Sequence, residues 1–283
     1  MPISPSSSAQ AARENVARRL RELRQDAGLT VTQLAAQCGW HHAKTSRIEN
    51  AKTPPSARDI RDWCQACRAP GRAEALISAS RQAETLYTEW RRRVRTGLRR
   101  LQESYLELYR STRVFRVYSP TLVPGLVQTE GYAAALLSTN ARLLEVPDDG
   151  PEAAVARVER SRIIREPGHR VLLLVEESVL YFQLGSTDAV AGQLGHLLSV
   201  GALPTVSLGI IPMATRERAL WPQETFHIYD DTLVSVELLS AQVNITQPSE
   251  IALYLKAFEQ LRGMAVYGAE ARALIVKAID ALA

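Results

Sequence analysis

The sequence predicts a multidomain protein: an N-terminal all-α unit, a helical connector, and a C-terminal α/β (α+β) unit built on a mixed sheet. Three observations predict it. A chain of 283 residues is long enough for two domains at about 100 to 200 residues each. The apolar pattern changes near residue 111 from helical steps of three and four to short blocks of strand length. The formal charge of +4 averages two unlike halves: residues 1–110 hold 20 Lys+Arg against 11 Asp+Glu, a balance of +9, and residues 111–283 hold 14 against 19, a balance of −5. A basic segment joined to an acidic one points to a nucleic-acid-binding module attached to something else, with solvated Arg-rich helix faces as the alternative.

Element by element, residues 1–9 are rich in Ser and Pro without periodicity and read as a disordered tail. Residues 10–72 read as short helices. Val16, Leu20 and Leu23 define the first, which Gly28 stops. Thr30 and Gln33 have the spacing of a capping box and open the second, which Gly39 ends. A third covers roughly His41 to Glu49, and Pro54 and Pro55 forbid its continuation. A fourth runs from Ala57 to about Cys67.

Residues 73–110 form the connector. Leu76, Ala83, Tyr87, Trp90, Val94, Leu98, Leu101, Tyr105 and Leu108 mark one stripe. As a single helix it would reach about 50 Å, with Gly97 as the place where it can break in two. Residues 111–283 form the C-terminal unit. Strands are expected at Phe115–Tyr118, Val171–Val175, Thr205–Ile211, Thr225–Tyr229 and Leu233–Leu238, and helices at 131–139, 151–165, 187–199, 248–262 and 268–282.

The stretch from Gly28 to Asn50 is the most informative. Leu34 and Ala35 sit where two helices meet, a small residue letting the backbones approach, and Gly39 supplies a left-handed turn. Ile48 returns the next helix to the core, leaving His41, His42, Ala43, Lys44 and Arg47 outward. This arrangement resembles the helix-turn-helix of Cro and the lambdoid repressors, the Xre-type regulators, and so implies a lambda-repressor-like domain. The resemblance places base contacts on His42, Ala43, Lys44 and Arg47. Arg47 leads, because a guanidinium can bond O6 and N7 of guanine together. Backbone contacts fall on Thr30, Thr32, Gln33, His41, Asn50, Lys52 and Thr53. Val31 stands where the family commonly has a phosphate-binding Gln, and Thr45 where it has a buried β-branched aliphatic. Such modules usually act as dimers on a double-stranded DNA operator.

In the C-terminal unit, Glu107-Leu108-Tyr109, Val117-Tyr118, and the run from Leu122-Val123-Pro124-Gly125-Leu126 through Gln128-Thr129-Glu130-Gly131-Tyr132-Ala133 resemble the WhiJ-like, antitoxin-like Xre regulators of actinobacterial type. Arg157-Val158-Glu159-Arg160-Ser161, the Glu176-Glu177 pair, Val206–Pro212 and Tyr254–Met264 follow in that family's order. The resemblance implies a homodimeric regulator whose C-terminal unit works with a small companion protein encoded nearby or senses a ligand; an antitoxin that sequesters a toxin-like partner and autoregulates its operon is the alternative. The Pro124-Gly125 turn and Thr129, as a helix cap, account for the motif equally well as a buried corner. Trp221, Phe226, His227 and Tyr229 are candidates for a partner or ligand surface.

Other constellations carry less. Cys64 and Cys67, with Cys38 and His41-His42 nearby, lack the paired motifs of a zinc site, and Ile60, Trp63, Cys64 and Cys67 make a core-facing stripe. Neither metal nor cofactor is expected. The Arg91-Arg92-Arg93 run with Arg95, Arg99 and Arg100 reads as a solvated face paired with Glu89, Glu103 or the acidic C-terminal unit, or else as a second phosphate-contacting surface. His169, His196, His227, Glu176-Glu177 and Asp230-Asp231 have no catalytic spacing, so an enzyme is not expected. The longest clean apolar run, Val171 to Val175, cannot span a bilayer; that, the lack of a signal-peptide pattern and the three cysteines make a cytoplasmic protein the expectation.

Overall fold

The computed structural model describes residues 7–85 and 87–282; the side chains of residues 7–11, 82, 84, 85, 87–89, 91 and 92 lie outside that description. The chain forms two compact units, one reaching to Thr88 and including Val243–Ile245, the other made of Glu89–Gln242 and Thr246–Ala283.

The first unit is built of α1 (Ser7–Asp26), α2 (Val31–Gln37), α3 (His42–Glu49), α4 (Ala57–Ala66) and α5 (Ala73–Thr85). The first helix begins earlier than the Ser/Pro-rich composition suggests. Residues 7–9 continue the helix-favouring Ala-Gln-Ala-Ala run in the N-terminal direction rather than belonging to the tail. Leu20, Leu34, Ile48, Ile60, Trp63, Cys64 and Leu76 form the core, and the indole N–H of Trp63 donates to the Leu20 carbonyl at 3.0 Å. Cys64 and Cys67 occupy the expected stripe as small hydrophobes, and burial pushes the Cys67 thiol up to about 11.

The connector is helical but is not one arm. After α5 come a three-residue strand, β1 (Tyr87–Glu89), then α6 (Trp90–Arg93), α7 (Leu98–Glu103) and α8 (Leu106–Ser111). The continuous stripe divides between two cores: Leu76 and Ile77 pack in the first unit, while Val94, Leu98 and Leu101 pack in the second against Ala133, Leu137, Ala153 and Ala154. Gly97, at φ 100° and ψ 152°, makes the sharpest break. That region is close to glycine's alone.

The second unit contains β2 (Val114–Ser119), α9 (Glu130–Leu144), α10 (Gly150–Ser161), β3 (Arg170–Glu176), α11 (Thr187–Val200), β4 (Val206–Ile211), β5 (Phe226–Tyr229), β6 (Leu233–Glu237), α12 (Pro248–Arg262) and α13 (Gly268–Asp280). Its strands run in the order β6-β5-β2-β3-β4. β3 is parallel to β2 and β4, with Val117 opposite Leu173 and Leu173 opposite Leu208. β5 is antiparallel to β2 and β6, with Val117 opposite His227. The sheet is therefore mixed, as the alternation of strand-length blocks and helical segments predicts. A further strand, β7 (Ala241–Ile245), went unpredicted, although Val243 and Ile245 alternate there with Gln242 and Asn244.

Phe115, Val117, Leu173 and Leu208 share one core with Leu194 of α11 and Ile275 of α13. On another side, Phe226 packs between Tyr118 at 5.5 Å and Tyr254 of α12 at 5.1 Å. Among the described residues no helix is long and apolar enough to cross a membrane.

Candidate nucleic-acid interface

The pair α2 and α3 is set by local chemistry. Gln33 N–H donates to the Thr30 hydroxyl at 3.2 Å and Thr30 N–H donates to Gln33 Oε1 at 2.8 Å, which is the reciprocal capping box the spacing predicts. Gly39 takes φ 68° in the turn, and Trp40 N–H donates to the Ala35 carbonyl at 2.8 Å. Leu34, Ala35, Thr45 and Ile48 are buried between the helices. Thr45 fills an aliphatic position, and its hydroxyl has no hydrogen-bond partner among the described residues.

This packing leaves His41, His42, Ala43 and Arg47 exposed on one side of α3. Lys44 differs from that expectation. Its ammonium lies 2.6 Å from Asp59 Oδ1 and 4.3 Å from the centroid of the Trp40 ring, so the side chain is half-buried and already paired. Burial works against the Asp59 carboxylate's charge, but the hydrogen bonds from Lys44 and Ser56 outweigh it and hold its pKa below the usual value. Asp59 is also the third residue of a second capping box with Ser56, one that the Ser56-x-x-Asp59 spacing announces.

Thr30, Thr32, Gln33, Lys52 and Thr53 are all exposed. Asn50 is exposed as well, but its amide is engaged: Nδ2 donates to the Ser46 carbonyl at 2.8 Å, and Arg21 donates to Oδ1 at 3.3 Å. Lys52 and Thr53 follow a turn in which Ala51 has φ 52° and both their N–H groups donate to the Arg47 carbonyl. Sequence reasoning missed the clamp behind this surface. Arg24 bonds both carboxylate oxygens of buried Glu49, at 2.5 and 3.2 Å, and Arg21 donates to the Glu49 carbonyl at 2.6 Å. Arg21 and Arg24, three apart beside the apolar stripe of α1, were the available signal.

In the second unit the four residues expected to form a surface separate. Trp221 is 72% exposed. Phe226, His227 and Tyr229 are buried, because β5 is an interior strand with both faces covered. Tyr229 packs on Tyr109 and Phe115, and His227 with Tyr229 lines a cavity rather than an outer surface. Thr129 stands at the N-cap of α9 without capping it: its hydroxyl and N–H both donate to Gln193 Oε1.

The other carboxylates and His169 have structural partners. Glu176 accepts from Tyr118 at 2.9 Å and Arg218 at 2.5 Å, and Glu177 accepts from Met213 N–H at 2.8 Å. Asp230 accepts from the Arg113 and Val114 amides, Asp231 pairs with Arg116 at 3.0 Å, and His169 Nδ1 is 2.7 Å from the Thr112 carbonyl. His196 is half-buried. Of the arginine run, Arg93 donates to the Tyr105 hydroxyl at 2.9 Å and Arg99 pairs with Glu103 at 2.9 Å, while the side chains of Arg91 and Arg92 lie outside the described residues. Among the described residues no group of three or more His, Cys, Asp or Glu side chains is placed to hold a metal ion.

A capped helix, a glycine turn and a second helix with one free face define a helix-turn-helix domain, and residues 15–76 match the model of the helix-turn-helix domain family. Residues 102–277, more than half of the chain, match the model named Domain of unknown function (DUF5753), and the chain belongs to that family. No curated protein matches it. Among solved structures, NucT from Helicobacter pylori aligns with 64% of this chain and 97% of its own at 10% identity and a TM-score of 0.36. The archaeal chromatin protein TrmBL2, described as showing a novel mode of DNA binding, aligns over 85% and 88% at 12% identity and 0.33. Likeness at these scores carries no weight for this chain.

Proposed function

We propose that the chain is a sequence-specific DNA-binding transcriptional regulator that acts as a dimer in the cytoplasm, with its DNA affinity modulated through the second unit by a small companion protein or ligand. One observation carries the reading: the exposed side of α3, with Arg47 in its last turn, projects from a helix-turn-helix domain whose core is packed behind it. A single protruding helix of this kind fits the major groove, where a bidentate arginine contributes about 1 to 3 kcal/mol of base discrimination. The WhiJ-like resemblance supports the regulatory role of the second unit, and no enzymatic role is proposed.

The test is genome-wide mapping of bound sites followed by anisotropy titrations on the recovered operator. Arg47→Ala should weaken operator binding by about tenfold or more and relax preference at one base pair. Operator affinity and sequence preference unchanged in that variant would overturn the assignment. Dimeric action requires a site with two half-sites one helical turn apart, or a multiple of it, and a complex containing two chains.

A further inference from the structure

The second unit encloses a cavity of 480 Å³ between β5, β6 and the helices α7 to α10, a size at which small organic ligands bind. Its walls are aromatic and apolar for the most part, with Leu143 and Leu239 exposed where it opens. Two cations stand inside. Arg160 is 8% exposed, and its guanidinium lies 4.8 Å from the ring centroids of both Tyr105 and Tyr109. Arg157, one helical turn earlier on α10, donates to Gln102 Oε1 at 3.0 Å and Gln128 Oε1 at 2.6 Å.

Every one of those partners is neutral. Among the described residues, neither guanidinium has a carboxylate within ion-pair distance, and Arg160 Nε and His227 Nδ1 have no hydrogen-bond partner. Glu237 does face the cavity, but it is half exposed and stands 3.9 Å from His227 Nε2. Buried charges are ordinarily paired, and buried donors ordinarily bonded. Two arginines one turn apart, fixed by rings and amides, line the same cavity as the unbonded Arg160 Nε and His227 Nδ1, and together they offer the donors an anionic group needs.

From this juxtaposition we infer that the cavity is an effector site for a small organic anion, a carboxylate or phosphate carried on an apolar or aromatic body, with Arg157 and Arg160 taking the anionic group. Burial and the neighbouring Arg160 lower the Arg157 guanidinium to about 10, which is the cost an anion would relieve. The binding site stands on the second unit alone; only its regulatory consequence rests on the function proposed above.

The test is calorimetric titration of the full chain with phenyl phosphate, benzoate and inorganic phosphate, with benzamide as the uncharged counterpart. The aryl anions should bind about tenfold or more tightly than benzamide, and Arg160→Met and Arg157→Met should each lose that preference. Should either variant fail to fold, Glu237→Gln, which removes an exposed negative charge facing the cavity, should tighten phenyl phosphate severalfold. Benzamide binding as well as the anions, no anion binding up to about 10 mM, or anion affinity unmoved in both Arg160→Met and Glu237→Gln would overturn the inference. DNA binding is measured separately, so a chain that takes phenyl phosphate in this way and binds no DNA would keep the site and remove only the regulatory reading.

Discussion

Arg24 Nε lies 2.5 Å from Oε1 of Glu49, and this pair ties α1 to the last turn of α3. The carboxylate is buried and Arg24 is nearly so, while Arg21 donates to the backbone carbonyl of the same glutamate. Removing one member strands the other, a loss of about 3 to 5 kcal/mol for a buried pair. Glu49→Ala should therefore destabilise the first unit by that order, measured as a shift of the denaturant midpoint followed by fluorescence of buried Trp63. A midpoint unchanged from the parent chain would show that the pair does not hold α3 in place.

Lys44 supplies a sharper expectation, because its outward position on α3 conflicts with its ion pair. The Asp59 carboxylate, 2.6 Å away, already neutralises it. If the helix-turn-helix meets DNA through α3, Lys44→Met should weaken operator binding less than Arg47→Ala does. Asp59→Asn should free the ammonium and steepen the dependence of log K on log salt by about one phosphate contact. An Asp59→Asn chain with the parent slope would mean that the ammonium stays on Trp40 or turns away from DNA.

These two residues also show how far the sequence can be read. Capping boxes, the Gly39 turn and the α3 face follow from local rules, because Thr30 and Gln33 are three residues apart and their hydrogen bonds need nothing else. Lys44 and Asp59 are separated by fifteen positions and Arg24 and Glu49 by twenty-five, so their pairings exist only once the helices have packed. The same limit applies in the second unit. Strands β2 to β6 were legible from β-branched blocks, but Phe226 and Tyr229 look like surface aromatics until β5 is known to be interior. Arg157 and Arg160 stand out in the sequence only as part of a family-like run; that they share a cavity with His227 depends on the tertiary packing that brings α10 and β5 to one space, which no spacing announces.

Gly97 and Asp149 form a cap made by two distant segments. Gly97 has no side chain to offer the first turn of α7, and Asp149 supplies it, accepting from Leu98 N–H at 2.8 Å and Arg99 N–H at 3.0 Å. A Cβ on Gly97 would stand 2.6 Å from Asp149 Oδ2, in a backbone region that side chains avoid. Gly97→Ala should cost about 1 to 3 kcal/mol for the backbone alone, and Asp149→Ala about 1 kcal/mol for the lost cap. The double variant should fall short of the sum, since Asp149→Ala removes the atom that Gly97→Ala strikes. Full additivity in thermal denaturation would show that the two residues act independently.

His227 gives a pH dependence with a definite sign. Burial pushes its pKa below the ordinary 6.5; nearby Glu237 pulls it up, while Arg160 and Arg157 push it further down. Between the folded and unfolded values the unfolded chain binds more protons, so stability rises with pH in that window. The contribution is complete above about pH 6.5 and is lost as pH falls from there through the lowered folded value. His196, lowered by burial and Arg165, acts with the same sign, so the measurement has to be a difference. The parent chain should lose more stability between pH 7.5 and 5.5 than His227→Gln does, read as the change in Tm of the second unit. Equal losses in the two proteins would place the His227 proton equilibrium outside folding altogether.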